Sequence, residues 1–281
     1  MTSKLLHRLG LPETTRALVV SCSGLGVSHA TTQGVLGALR LGVATTASLM
    51  VPCPWARDAA GRATNRDDLG VAITLNAEND QLRWGPITTA PTLHDGDGGF
   101  PRTAEDLWDH ADVEEVRREG RAQLERAVQW GIDVTHLSSH LDALLLRPEF
   151  YDVYLDLAVE FGLPIRLPEP AAEARVQFPL RDLAEEASVL HVDRVVSLRS
   201  TGSRTALLEV LRSLEPGVTE VRLRPAIDSA ELRAYAPDWA NRVDDYNLAT
   251  GDAELAAVLS GVRRLGYREL RAAQRSSPTP R

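Results

Sequence analysis

The chain has 281 residues, 43% of them apolar and 25% charged, and a net charge of −8. That length suits one α/β barrel or two smaller domains with a real core, and the composition is that of an ordinary soluble globular protein. The acidic balance argues against a nucleic-acid-binding surface, and no run approaches the ~18 apolar residues of a membrane span.

No secretory h-region opens the chain, so export is not expected. Cys22 and Cys53 form no CxxC pair, in keeping with a reduced, cytoplasmic protein. Lys4 is the only lysine, which reads as the coding bias of a high-GC bacterial gene rather than as an arginine-based binding device.

Ala17–Cys22 is a buried strand followed by the small, polar and glycine residues "SGLGVS". Ser28 is a plausible N-cap for a helix running to about Arg40, which Gly42 stops. Val43–Val51 is a β-branched second strand closed by Pro52 and Pro54, and Trp55–Arg62 a short helix. Asp68–Leu75 is a third strand. From Asn76 to about Asp109 the chain is Gly/Pro-rich and lacks a clear period; a loop that long is usually functional, a lid or substrate loop. Its "HDGDGG" (His94–Gly99) lacks the rest of a calcium loop and reads as a turn.

Val113, Val116, Leu124, Ala127 and Val128 recur at helical spacing up to Gly131. Val134–Leu137 is a strand, and Glu149–Gly162 a helix ended by its glycine. Leu163–Pro168 is a strand, as is Val192–Leu198; a helix lies near Arg204–Leu214, then the strand Val218–Leu223 and two further helices. The tail from Gln274 to Arg281 is expected to be disordered. Strict β/α alternation implies parallel strands with helices outside. The expectation is a single α/β domain over residues 1–273, barrel-like and TIM-barrel-related, with six to seven parallel strands.

Several stretches carry a family resemblance. They are "SHA", "GVATTASLMVPCPWARDAA", "DLGVAITLNAE", "RWGPIT", "DGDGGFPRT", "THLSSHLDALLLRPEF" and "RLRPAIDSAELRAYAPDWANRVDDY". In this order, over roughly residues 16 to 250, the chain resembles the YdjC/ChbG family of carbohydrate deacetylases, which includes the hopanoid-associated deacetylases. The resemblance implies a barrel-like α/β fold and metal-dependent removal of an N-acetyl group from an amino sugar. In that chemistry a divalent ion lowers the pKa of bound water and a carboxylate takes the proton.

Set against the family's pattern, the first strand end would read Asn-Ala-Asp-Asp but holds Ser21, Cys22, Ser23 and Gly24. The third-strand histidine position is Ala72, the aspartate of the Asp-Ser-His strand is Ser138, and the late histidine before proline is Arg224. His140 alone remains of the implied ligands. A catalytic zinc wants about three protein ligands, so no metal and no cofactor is expected here.

His140, Arg224 and Glu78 are the candidates for chemistry: an imidazole acid or base, a fixed positive charge where an ion would sit, and the nearest remaining carboxylate. Arg224 turned to solvent or paired with Asp228 or Asp142 is the plainer alternative. Ser23, Cys22, Asn76, Trp84 and His136 are candidate ligand contacts, with structural roles as the alternative for each. Three functions stay open: metal-free acid/base chemistry on a small sugar-like, anionic or carbonyl-bearing molecule; a non-catalytic pseudoenzyme that binds a ligand or regulates a partner; and a metal-dependent N-deacetylase. The expected partner is a small molecule, not nucleic acid or membrane, and self-association stays open.

Overall fold

The structure, a computed structural model, describes residues 3–176, 178–198 and 203–276. Its strands are Arg16–Leu25 (β1), Thr46–Leu49 (β2), Leu69–Ile73 (β3), Val134–Ser139 (β4), Arg194–Ser197 (β5), Gly217–Leu223 (β6) and Arg263–Arg264 (β7). They form one sheet in the order β4-β3-β2-β1-β6-β5, with β7 beside β1 and every pairing parallel. The sheet curls into a barrel-like single α/β domain with its helices outside. Among the described residues no helix is long and apolar enough to cross a membrane.

The segment read as a strand at Leu163–Pro168 makes only one bridge, Ile165 beside Leu137. Pro164 and Pro168 have no N–H to donate, which shortens any ladder there. Even so, Arg166 N–H donates to Leu137 O at 2.9 Å and Ile165 N–H to Leu190 O at 2.9 Å. The segment therefore lies between β4 and the chain leading into β5.

Alternation along the strands sorts side chains into two faces. On β1, Leu18, Val20 and Cys22 join the apolar layer under the helices, whereas Ala17 and Val19 pack inward with Val195, Val218, Tyr267 and Leu270. That inner cluster closes the N-terminal end of the barrel, with the helices Lys4–Arg8 and Tyr267–Arg275 covering it. Each fully buried Leu or Val contributes roughly 1.5–3 kcal/mol.

Above the apolar end lies a sealed polar belt. Glu220 accepts from Ser21 Oγ at 2.5 Å and from Tyr267 Oη at 2.6 Å. His136 stacks on Tyr267 with ring centroids 4.1 Å apart and shares a 2.9 Å hydrogen bond with Ser48 Oγ. Gly70 makes room for that imidazole: a Cβ there would stand 2.4 Å from the His136 ring.

Four sequence expectations change. The stretch Asn76–Asp109 is not an unstructured loop: it carries the short turn Pro91–Leu93 and the helix Ala104–His110, N-capped by Thr103. Nor is it built as a free lid, because buried Glu119 accepts from Ile87 N–H, Thr88 N–H and Thr88 Oγ1, and Glu115 holds Thr92. Val128 is exposed; the helix Val113–Gln129 instead turns Val116, Glu119, Gln123, Leu124 and Ala127 inward, the two polar ones to hold that stretch and β3. Finally, the last helix continues through Gln274 to Arg275, where Gln274 Oε1 accepts from Leu190 N–H at 2.7 Å; the tail from residue 277 lies outside the described residues. Among the described residues the part after β6 also has four helices rather than two, Ala230–Tyr235, Trp239–Gly251, Ala253–Ser260 and Tyr267–Arg275.

Candidate active site

A cavity of about 420 Å³ opens at the C-terminal ends of the strands, the end at which parallel α/β barrels assemble their sites. β1 delivers Ser23 and Gly24 to its wall, β2 Ser48, β3 Ala72 and β6 Arg222 with Arg224 just beyond. The turn after β4 delivers His140, Leu141 and Asp142. Leu141 and Asp142 both take left-handed backbone angles, φ 52° and 56°. Such conformations in non-glycine residues cost of order 1 kcal/mol or more and cluster at functional sites. Gly24 at φ +91° follows the glycine preference for that region.

His140 and Glu78 meet here. His140 Nε2 and Glu78 Oε2 are 2.9 Å apart, and Trp84 stands edge-on to the imidazole at 6.4 Å. Burial pushes the Glu78 carboxyl up, but the charge and hydrogen bond of His140, with Arg242 beyond, outweigh it and hold the group at about 2 against an ordinary 4.5. Glu78 is therefore an anion through the neutral range.

Arg224 reaches the wall half-exposed, and the pairing suggested by the sequence with Asp228 or Asp142 is replaced by one with Asp238, 2.8 Å away. The same carboxylate accepts from Arg242 Nε at 2.7 Å. Asp245 receives the Arg224 backbone N–H at 2.8 Å and fixes the exit from β6. Arg242 turns towards Gly24, where a Cβ would lie 4.0 Å from its Nη1.

The remaining candidates divide by strand parity and burial. Ser23 is on the cavity wall. Cys22, one residue before it, points the other way into the helix-covered core, and burial pushes its thiol well up, so it has neither access nor thiolate character. His136 lies in the sealed belt beneath the cavity, and burial, with the charge of Arg166, keeps its imidazole far below its ordinary pKa and neutral. Asn76 is buried and donates to Pro101 O and Thr103 O, while Trp84 Nε1 donates to Asn76 O at 2.7 Å. Those two build the wall behind Glu78 rather than line the cavity.

Sequence reasoning passed over Arg166, Arg222 and Arg242. With Arg224 they put four guanidinium groups on the wall, against the carboxylates of Glu78 and Asp142. A signal for them was present: Glu220, Arg222 and Arg224 recur at period two in an otherwise apolar strand, a pattern that places charges on one buried face. Among the described residues no group of three or more His, Cys, Asp or Glu is placed to hold a metal ion. Gly24 and Ala72, at positions where the resemblance implies ligands, bring no donor atom.

A parallel α/β barrel with a polar, arginine-rich cavity at its C-terminal face defines the class, and comparison with known proteins narrows it. The model of the family described as "YdjC-like protein" matches residues 17–261. A carbohydrate deacetylase of Thermus thermophilus is 34% identical over 276 residues, 96% of this chain and 98% of that protein. One from Geobacillus stearothermophilus is 31% identical over 262 residues, 90% of this chain and 98% of that protein. The crystal structure of a putative cellobiose-phosphate cleavage protein from Enterococcus faecalis shares the fold, with a TM-score of 0.77 over 92% of this chain and 99% of that one at 22% identity. The chain belongs to the YdjC-like family.

Proposed function

We propose that this protein carries out metal-free acid/base chemistry on a small, sugar-like molecule that bears a carbonyl group. The observation that carries the reading is the His140–Glu78 pair at 2.9 Å inside a cavity walled by guanidinium groups. The relatives named as carbohydrate deacetylases support a carbohydrate-like ligand. The donor set does not fit a divalent ion: His140 and Glu78 already bond each other, Gly24 and Ala72 offer nothing, and Arg222, Arg224 and Arg242 on the same wall would repel a cation.

In this reading His140 takes a proton from the carbon next to the carbonyl, and the electron pair of that C–H bond moves onto the carbonyl oxygen. Glu78, ionised, orients the imidazole and stabilises its charged form. Arg224, half-exposed on the wall and paired with Asp238, lends the developing oxyanion a fixed positive charge. Return of the proton from His140 regenerates the carbonyl and leaves no net change in atoms or electrons.

The test is solvent-deuterium incorporation into aldose and ketose substrates, followed by NMR. Incorporation by the native protein in the presence of a chelator, lost in His140→Ala, is the expected result. No incorporation with any sugar carbonyl would leave a non-catalytic binding protein as the better reading. Acetate release from N-acetylated sugars at about 1 per second, an ordinary enzyme rate, would instead return the protein to deacetylation.

A further inference from the structure

Leu141 carries two costs at once. Its backbone is left-handed, φ 52° and ψ 21°, a region that bulky side chains rarely adopt. Of the three non-glycine residues with positive φ among the described residues, Leu141, Asp142 and Ser188, it alone is apolar. Its surface is also 46% exposed, on the wall of the cavity. Asparagine tolerates the left-handed backbone and exposure to water, so the stability of the fold gives little reason for a leucine here. Strain of this kind clusters at functional sites, and what Leu141 brings to the cavity is an apolar surface. Asn79 is its counterpart. Glu78 and His140 meet at 2.9 Å, and the residue that follows each of them, Asn79 and Leu141, lies on the cavity wall. One contact is thus adjoined by an amide that both donates and accepts and by an apolar side chain.

Resting on the sugar-like ligand of the acid/base reading, we propose that Leu141 and Asn79 form a recognition surface for a pyranose, which enters the cavity as its closed ring. The C–H face of the ring lies on Leu141, and its hydroxyl edge bonds the Asn79 amide. A pyranose joins the two chemistries: axial C–H bonds make an apolar face, and neighbouring hydroxyls, each donor and acceptor, match a side-chain amide. Covering Leu141 with that face takes apolar surface out of water. A plain hydrocarbon group would do so too, but it would strip water from His140, Glu78 and Asp142 on the same wall without bonding them. A hydroxylated edge meets those groups instead. The cavity, about 420 Å³, lies in the range of small-molecule sites.

Saturation-transfer NMR with the methyl β-pyranosides of glucose, galactose and mannose tests this, because a glycoside has no carbonyl and reports binding apart from the acid/base chemistry. At least one should bind, with the C–H protons of one ring face saturated more strongly than those of the other. Leu141→Asn should weaken that binding about three- to tenfold through the lost apolar contact, and Asn79→Ala by a similar factor, the range for one neutral hydrogen bond. Thermal unfolding separates recognition from packing: Leu141→Asn should unfold no earlier than the native protein. No binding of any of the three glycosides, or affinity unchanged in Leu141→Asn or in Asn79→Ala, would overturn the proposal. So would a Tm lowered by more than about 4 °C in Leu141→Asn, a shift of the size one lost packing contact gives. Glycoside binding that depends on Leu141, without deuterium exchange into any sugar, would retain the surface and remove the acid/base reading. His140-dependent exchange with KM unchanged in Leu141→Asn would do the reverse.

Discussion

Glu78 Oε2 and His140 Nε2 are 2.9 Å apart although 62 residues separate them in the chain. The contact exists because two independent devices aim at one point: Asn76 and Trp84 pin the chain after β3 against Pro101 and Thr103, and the left-handed pair Leu141–Asp142 turns the chain after β4.

The pair should show itself in acid. The folded-state pKa of Glu78, about 2, lies below its ordinary 4.5, so its contribution is fully present above about pH 4.5 and is lost as pH falls towards 2. Native protein should be more stable than Glu78→Gln near pH 6, by about 1 kcal/mol or less, because the Glu78 side chain keeps 35% of its surface in solvent. The two unfolding curves should converge by about pH 2, as measured by urea denaturation. A gap independent of pH would show that the carboxylate is not held ionised by His140.

His136 predicts a steeper effect. Its folded pKa lies far below 6.5, so below that pH the unfolded chain binds a proton that the folded chain refuses. Stability should therefore fall with falling pH by up to about 1.4 kcal/mol per unit from this one group. His136→Asn should reduce the pH slope by one proton, read from denaturant midpoints between pH 7.5 and 5. An unchanged slope would mean that His136 titrates freely.

Gly70→Ala tests the close packing of the polar belt. The added Cβ would stand 2.4 Å from the His136 ring and 2.5 Å from its backbone oxygen. Overpacking of this kind costs about 1–3 kcal/mol, and a shift of the urea midpoint of that size is expected. A neutral substitution would show that β3 and β4 can separate without loss.

Much of the barrel was legible because β-branched runs mark β1, β2, β3, β4 and β6, and Ser28 and Gly162 mark helix ends through a capping box and a left-handed C-cap. The stretch Asn76–Asp109 misled because its order comes from Glu115, Glu119 and Arg83, tertiary anchors with no local period. The site was half visible. His140, Glu78, Arg224 and Ser23 converge, while Cys22 fails on strand parity that only the register of β1 fixes. Arg166 sits alone among apolar residues and prolines, and Arg242 comes from the helix Trp239–Gly251; neither faces the cavity until the chain closes around it.

On the proposed reading, the cavity works without a metal ion. Metal analysis of the purified protein after dialysis against zinc, with excess ion removed, measures this most directly. Well under one equivalent of bound zinc per chain is the predicted result, unchanged in His140→Ala. One zinc per chain in the native protein, lost in His140→Ala, would contradict it.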